Sequence, residues 1–247
     1  MSRNISSQVF ASVLVNALYA MKNMPIMLVN TLLTPFSFLI VITFISRGAL
    51  LGVAIEGALI MTMVSNGLGL QGDLSHLKND MKLQEMVVGS PTSASVYLIG
   101  MAMSEIIYAL PALILLIILS ALFLHLTLFG ILAIAGAMLL MFIVAVALGF
   151  FFSTLTADVI QSFAFSGMLS MLLSALPPVY YLITYIPLPY RYLAYLSPTT
   201  YAAQIAQNAA GFISLSTTSL AIDWIVLAGV AVTFLLIAIK KSRWVEV

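Results

Sequence analysis

The stretch from Ile106 to Ala157 reads IIYALPALILLIILSALFLHLTLFGILAIAGAMLLMFIVAVALGFFFSTLTA, fifty-two residues without an Asp, Glu, Lys or Arg. About 20 consecutive apolar residues in a helix cross the hydrocarbon core of a bilayer. Joined to Ser93–Glu105, the stretch holds two such spans. The break between them falls at His125–Thr127, which predicts spans over about 94–123 and 128–153. Thr154–Asp158 then reads as a tight turn.

The rest of the chain carries the same signal. Of 247 residues, 63% are hydrophobic and 7% charged, the net charge is +1, and the mean hydropathy is +1.17. A soluble domain carries roughly 25% charged residues. So little charge cannot cover a water-facing surface, which excludes a soluble enzyme, a nucleic-acid binder and a disordered protein. There is no cysteine, hence no disulfide, thiolate metal site or cysteine nucleophile.

Upstream, the uncharged segment between Lys22 and Arg47 predicts a first span, with Pro25 near its start and Pro35 within it. A second span runs from about Leu50 to Leu70 and contains Glu56. A hydrophilic segment, Gln71–Pro91, follows. Downstream, a fifth span is predicted over about 159–182, ending near Pro177-Pro178. Tyr185–Ala210 is aromatic, semi-polar and proline-bearing, and reads as short helices dipping into or lying on the interface. The last span, about 220–239, ends at Lys240-Lys241-Ser242-Arg243. Ahead of all six, residues 1–22 alternate on a helical period. Gln8, Ser12, Asn16, Tyr19, Lys22 and Asn23 lie on one arc; Phe10, Val13, Leu14, Ala17, Leu18 and Met21 lie on the other. That pattern predicts an amphipathic helix in the membrane interface rather than a cleaved signal.

Six spans put both termini on one side. Arg3, Lys22, Lys78, Lys82, Lys240, Lys241 and Arg243 share that side; Arg47 and Arg191 lie opposite. The positive-inside rule makes the termini and Gln71–Pro91 cytoplasmic and the 185–210 segment external. Trp224 and Trp244, near the two ends of the last span, fit interfacial belts.

Several chemistries lack their motifs. There is no G-x-x-x-x-G-K-[ST] and no H-E-x-x-H, and His76 and His125 fall on opposite sides of the membrane. Gly67-x-Gly69 lacks a strand context and reads as a site of close helix packing. Three carboxylates fall inside or near spans. Asp223 is expected to be solvated at the outer interface. Glu56 lies about one and a half turns from the outer end of its span, with Arg47 as a partner on its side. Glu105 is close to the midplane. Two readings of it stand: a buried carboxyl bonded to Ser, Thr or Asn of another helix, or a group on a translocation path.

Three segments resemble the ABC-2 family of ATP-binding-cassette exporter permeases. Ala17-Leu-Tyr-Ala-Met-Lys-Asn-Met-Pro25, leading into a span with Pro35, is similar to the family's connecting helix and first span. Met81-Lys-Leu-Gln-Glu-Met-Val-Val-Gly-Ser-Pro91 is similar to its cytoplasmic loop helix and small-residue–proline turn. Pro177-Pro-Val-Tyr-Tyr and Leu196-Ser-Pro-Thr-Thr-Tyr201 resemble its fifth-span end and external re-entrant pair. One departure is that the loop helix begins Lys78-Asn-Asp80, where the family often has an acidic–arginine pair.

The resemblance implies an all-α integral membrane fold. It would have six transmembrane helices, an amphipathic N-terminal interfacial helix and an external re-entrant segment between spans five and six, as one domain over 1–247. It implies a permease in the cell membrane that pairs with a second copy, as homodimer or heterodimer, and docks a separate ABC ATPase carrying the ATP and Mg. No cofactor is expected on this chain. The coupling loop would be Asp80, Lys82, Leu83, Gln84, Glu85, Met86, Ser90 and Pro91, with the pore between the copies. Glu105 and Glu56 are the candidates for the translocation path. Drug, lipid-like and glycan-type cargoes all remain open. The competing expectation is an ion-gradient-driven carrier or channel with Glu105 as coupling residue, though no internal repeat of the carrier type is visible. An intramembrane enzyme is disfavoured by the missing dyads.

Overall fold

The computed structural model describes residues 5–23, 26–79 and 94–241, all in helices and their connections. The N-terminal segment comprises α1 (Ile5–Val13), a π-helical stretch (Leu14–Tyr19) and the short α2 (Ala20–Asn23). It is followed by α3 (Ile26–Ile45) and α4 (Leu51–Asn79). After residue 93 come α5 (Ala94–Phe123), α6 (Leu128–Ser153) and α7 (Val159–Ala175). Two short helices, α8 (Arg191–Ala194) and α9 (Pro198–Ala209), precede α10 (Thr217–Lys241).

Local chemistry sets the boundaries. Thr127 accepts the Gly130 N–H and starts α6. Asp158 accepts the Gln161 N–H at 2.7 Å and starts α7. Between α3 and α4 the chain turns through positive φ at Arg47 (50°) and Gly48 (86°), and the Gly48 N–H closes back on the Thr43 carbonyl at 2.8 Å. α7 stops at Ala175 because Pro177 and Pro178 have no N–H to continue the ladder. The span predicted over 159–182 is therefore shorter as a helix. The buried amide of Gln207 serves the carbonyls left there, donating to Pro178 O at 3.0 Å and Tyr181 O at 3.2 Å.

Among the described residues four helices are long and apolar enough to cross a membrane: Leu51–His76, Val96–Phe123, Leu128–Ser153 and Thr217–Ala238. Thr31–Ile45 within α3 and Val159–Ala175 are shorter and apolar. α4 occupies the centre, with α3, α5, α6, α7 and α9 packed around it. It is the least apolar of the four, yet 83% of its apolar window is buried, against 33%, 39% and 17% for the others. The order is physical: α4 carries Glu56 and Gln71, which make no hydrogen bond within their own helix and which hydrocarbon would not solvate, so this helix goes inside. α4 also runs to Asn79, past the boundary predicted near Leu70. Gln71 and Ser75 are buried against neighbours, so the polar segment begins as helix rather than loop.

α4 and α6 cross closely. A Cβ on Gly67 would lie 2.7 Å from Ala145 Cβ and 3.2 Å from the Phe142 carbonyl oxygen. One on Gly149 would lie 3.1 Å from the Gly67 carbonyl. Small residues thus bring the two backbones together, as the Gly67-x-Gly69 reading expected. The short helices expected in 185–210 are present as α8 and α9. Pro198 occupies the first turn of α9, Thr199 donates to Leu173 O at 2.9 Å, and Thr200 donates to Ala194 O. α9 packs on α6, α10 and α4.

Gly67→Ala is expected to destabilise the bundle by about 1–3 kcal/mol through overpacking. Thermal unfolding in detergent would report a lower midpoint, partly restored by Ala145→Gly. An unchanged midpoint would rule out the tight crossing.

Candidate functional site

α3, α4, α5 and α7 enclose a cavity of about 340 Å³. α4 contributes Ser65, Asn66, Gly69 and Asp73, which recur at helical spacing along one face. α5 contributes Glu105 and Tyr108, α3 contributes Thr31, and α7 contributes Phe163, Ser166, Gly167 and Ser170. Phe163 and Gly167 are exposed, so the chamber opens past α7. Beside it, Leu70, Tyr97 and Met101 form a small apolar cluster with Leu74 and Val146 at its edge.

Glu105 is 3% exposed and lies in the chamber wall. Its Oε1 has no hydrogen-bond partner among the described residues. Asp73, from the segment the sequence read as hydrophilic, lines the same chamber, so the wall holds two acids. Gly69 makes room for the pair: a Cβ there would lie 3.3 Å from Glu105 Oε2. His76, one turn along α4, interacts electrostatically with Asp73.

Hydrogen bonding around the chamber has a consistent polarity. Asn66 donates to Thr62 O at 2.8 Å, Ser166 to Leu68 O at 3.0 Å, and Tyr108 to Asn16 O at 2.6 Å. Ser65 and Ser170 share one bond of 3.3 Å. Each of these bonds uses one donor, and the Asn66 amide keeps a second N–H. The Tyr108 bond also ties the N-terminal segment to α5, where Ser12 packs so closely on Gly100 that a Cβ there would lie 2.6 Å away. The amphipathic N-terminal helix is therefore docked along α5.

The other acids lie elsewhere. Glu56 is 1% exposed, both its oxygens lack partners, and it is not part of the chamber wall. Arg47 is exposed and makes no bond to it. Asp223 is not solvated as expected: it is 5% exposed and faces Gln204, whose amide nitrogen, oriented to donate, lies 3.3 Å from both carboxylate oxygens. α9 supplies this partner from across the chain, which spacing could not reveal. Asp80, Lys82, Leu83, Gln84, Glu85, Met86, Ser90 and Pro91 lie outside the described residues. The sequence reading missed Asp73, Asn66 and Tyr108. Asn66, Gly69 and Asp73, three and four residues apart, were the available signal.

Comparison with known proteins bears on what this bundle is. The family model described as ABC-2 type transporter matches residues 7–210. The chain belongs to the ABC-2 type transporter family. Among curated proteins no match was found. As an ABC-2 membrane domain, the chain is a multi-pass permease subunit of an ATP-binding-cassette transporter, which works with an ATPase subunit. The matched region takes in the docked N-terminal segment, the chamber and α9.

Tyr108→Phe is expected to cost the permease about 0.5–1.5 kcal/mol at the lost bond to Asn16. Amide exchange across residues 5–23 should accelerate, with α6 and α10 unchanged. Equal exchange in variant and parent would show that this bond does not hold the segment.

Proposed function

We propose that this permease is a six-span subunit of an ATP-driven exporter, paired with a second permease copy and driven by a separate ATPase. Membership in the ABC-2 family carries the reading. The absence of a P-loop from this sequence supports a division of labour in which ATP and Mg are handled on the partner. The six crossings would be α3, α4, α5, α6, α7 and α10. α7, at 17 residues, is short for a full crossing and would be completed by the Pro177–Tyr181 segment. The distribution of Lys and Arg supports cytoplasmic termini in the cell membrane, with α8 and α9 as the external re-entrant segment.

The coupling element would be the loop that follows α4. Leu83 and Met86 supply apolar anchors there, with Asp80, Lys82, Gln84 and Glu85 around them. Exposed apolar side chains on α3 and α7, among them Leu33, Phe44, Met168 and Met171, suit contact with lipid or a second permease copy. The chamber between α3, α4, α5 and α7 would lie on the translocation path. The carboxyl pair favours one competing reading, an ion-gradient-driven carrier using Glu105. ATP-dependent uptake into inside-out vesicles supports the exporter. Uptake driven by an ion gradient without nucleotide supports the carrier.

Replacing Leu83 and Met86 with Asp is expected to abolish co-purification with the cognate ATPase, while membrane insertion is retained. Undiminished co-purification would refute the coupling loop.

A further inference from the structure

We propose that Tyr195, Gln204 and Asp223 form a hydrogen-bond relay whose direction reverses with the protonation of Asp223, so that a surface phenol reports the charge of a buried acid. The relay joins the end of α8 to α9 and α10. It is independent of the coupling loop and of the direction of transport.

Packing brings the acid to α9. Asp223 is 5% exposed and Gln204 4%. Trp224, the next residue, packs on α6, where a Cβ on Gly136 would lie 2.8 Å from its ring. Adjacent helical residues point about 100° apart, and Asp223 meets Gln204 of α9 instead.

The electrostatic surroundings leave the charge of Asp223 free to change. α10 packs on α6 and α9, and neither helix carries an Asp, Glu, Lys, Arg or His. Tyr201 is the titratable side chain on α9, and it donates to the Tyr195 carbonyl at 2.9 Å. Arg191 of α8 donates to the carbonyls of Thr184 and Ile186. Lys240 and Lys241, at the far end of α10, are about 25 Å along the helix from Asp223.

One set of heavy-atom positions serves both charge states. Turned one way, the Gln204 amide nitrogen lies 3.3 Å from Tyr195 Oη and its oxygen faces the Asp223 carboxyl. Turned over, the nitrogen lies 3.3 Å from both Asp223 oxygens and the amide oxygen faces the phenol. A carboxylate only accepts, so the ionised acid demands the second arrangement: Gln204 donates to Asp223, and Tyr195 donates to Gln204. A protonated carboxyl donates, which selects the first: Asp223 donates to the Gln204 oxygen, and the amide donates to Tyr195 Oη. The phenol hydrogen is then released. A half-turn about the terminal amide torsion, which has two broad wells, separates the two. The α9–α10 contact is kept in both. Tyr195 is 37% exposed, so its released O–H is offered at the surface. Uptake of one proton at Asp223 thereby turns the phenol from an inward donor into an outward one.

The test uses the full chain in lipid nanodiscs, with carbon-13 NMR of the tyrosine Cζ atoms and the infrared carboxyl band of Asp223. Tyr195→Phe assigns the first signal and Asp223→Asn the second. Over about pH 4 to 9 the Tyr195 signal is expected to move in one single-proton step, with the same midpoint as the Asp223 band. Asp223→Asn should abolish that step. Gln204→Met removes the amide at similar volume. In it the Asp223 band should still titrate while the Tyr195 step vanishes, which separates the relay from a direct effect of the charge on the ring. Protection of the α9 amides in the parent should be the same on both sides of the step, because the contact persists. A Tyr195 signal that stays fixed in the parent, titrates with a different midpoint from Asp223, or moves as far in Gln204→Met would overturn the proposal. So would loss of α9 protection on either side of the step. Should Gln204→Met fail to fold, agreement or disagreement of the two midpoints in the parent decides.

Discussion

Hydrocarbon offers no hydrogen bonds, and this one property of the solvent arranges the molecule. A polar side chain within a span is best kept away from lipid, inside the protein. Among the described residues α4 carries more of the buried ones than any other helix, so α4 is central and the more apolar helices form the wall facing outward. The same constraint explains the backward-donating side chains. Asn66, Thr62 and Ser104 each bond a carbonyl one turn earlier on their own helix, which satisfies the donor without a neighbour. Polar groups that cannot do this need a second helix, as Asp223 on α10 finds Gln204 on α9.

Close packing supplies the cohesion that water-driven burial cannot supply inside a bilayer. Gly67 and Gly149 let α4 and α6 touch backbone to backbone. On the opposite side of α4, Gly69 serves a different purpose and leaves space for a carboxylate. Two glycines two residues apart thus face different neighbours, one closing a helix crossing and the other opening a chamber. Tyr108 belongs both to the chamber wall and to the anchorage of the N-terminal segment. Any displacement of residues 5–23 relative to α5 therefore acts on a side chain that a ligand would touch.

Helix boundaries were legible wherever apolar length and a capping residue coincided. The spans read over 94–123 and 128–153 correspond to Ala94–Phe123 and Leu128–Ser153 because Thr127 and Asp158 mark the breaks chemically. The boundary at Leu70 failed because hydropathy falls at Gln71 while the helix does not. Gln71 and Ser75 are buried, and α4 continues past them to Asn79. In the fifth predicted span the helix ends at Ala175, because apolar character continues past Pro177 although the helical ladder cannot.

The candidate site was legible by half. Glu105 stands out in the sequence as a deep charge in an apolar helix. Its neighbour in the chamber wall does not, since Asp73 sits among ordinary hydrophilic residues thirty-two positions earlier. Class and family follow from the sequence alone, because lipid solubility, span length and the order of proline-marked segments are all one-dimensional properties. The meeting of two acids in one chamber, the burial of Asp223 beneath Gln204 and the solitary burial of Glu56 were decided only by tertiary structure. Each depends on which faces of separate helices touch, and helical period restricts those faces without choosing the neighbour.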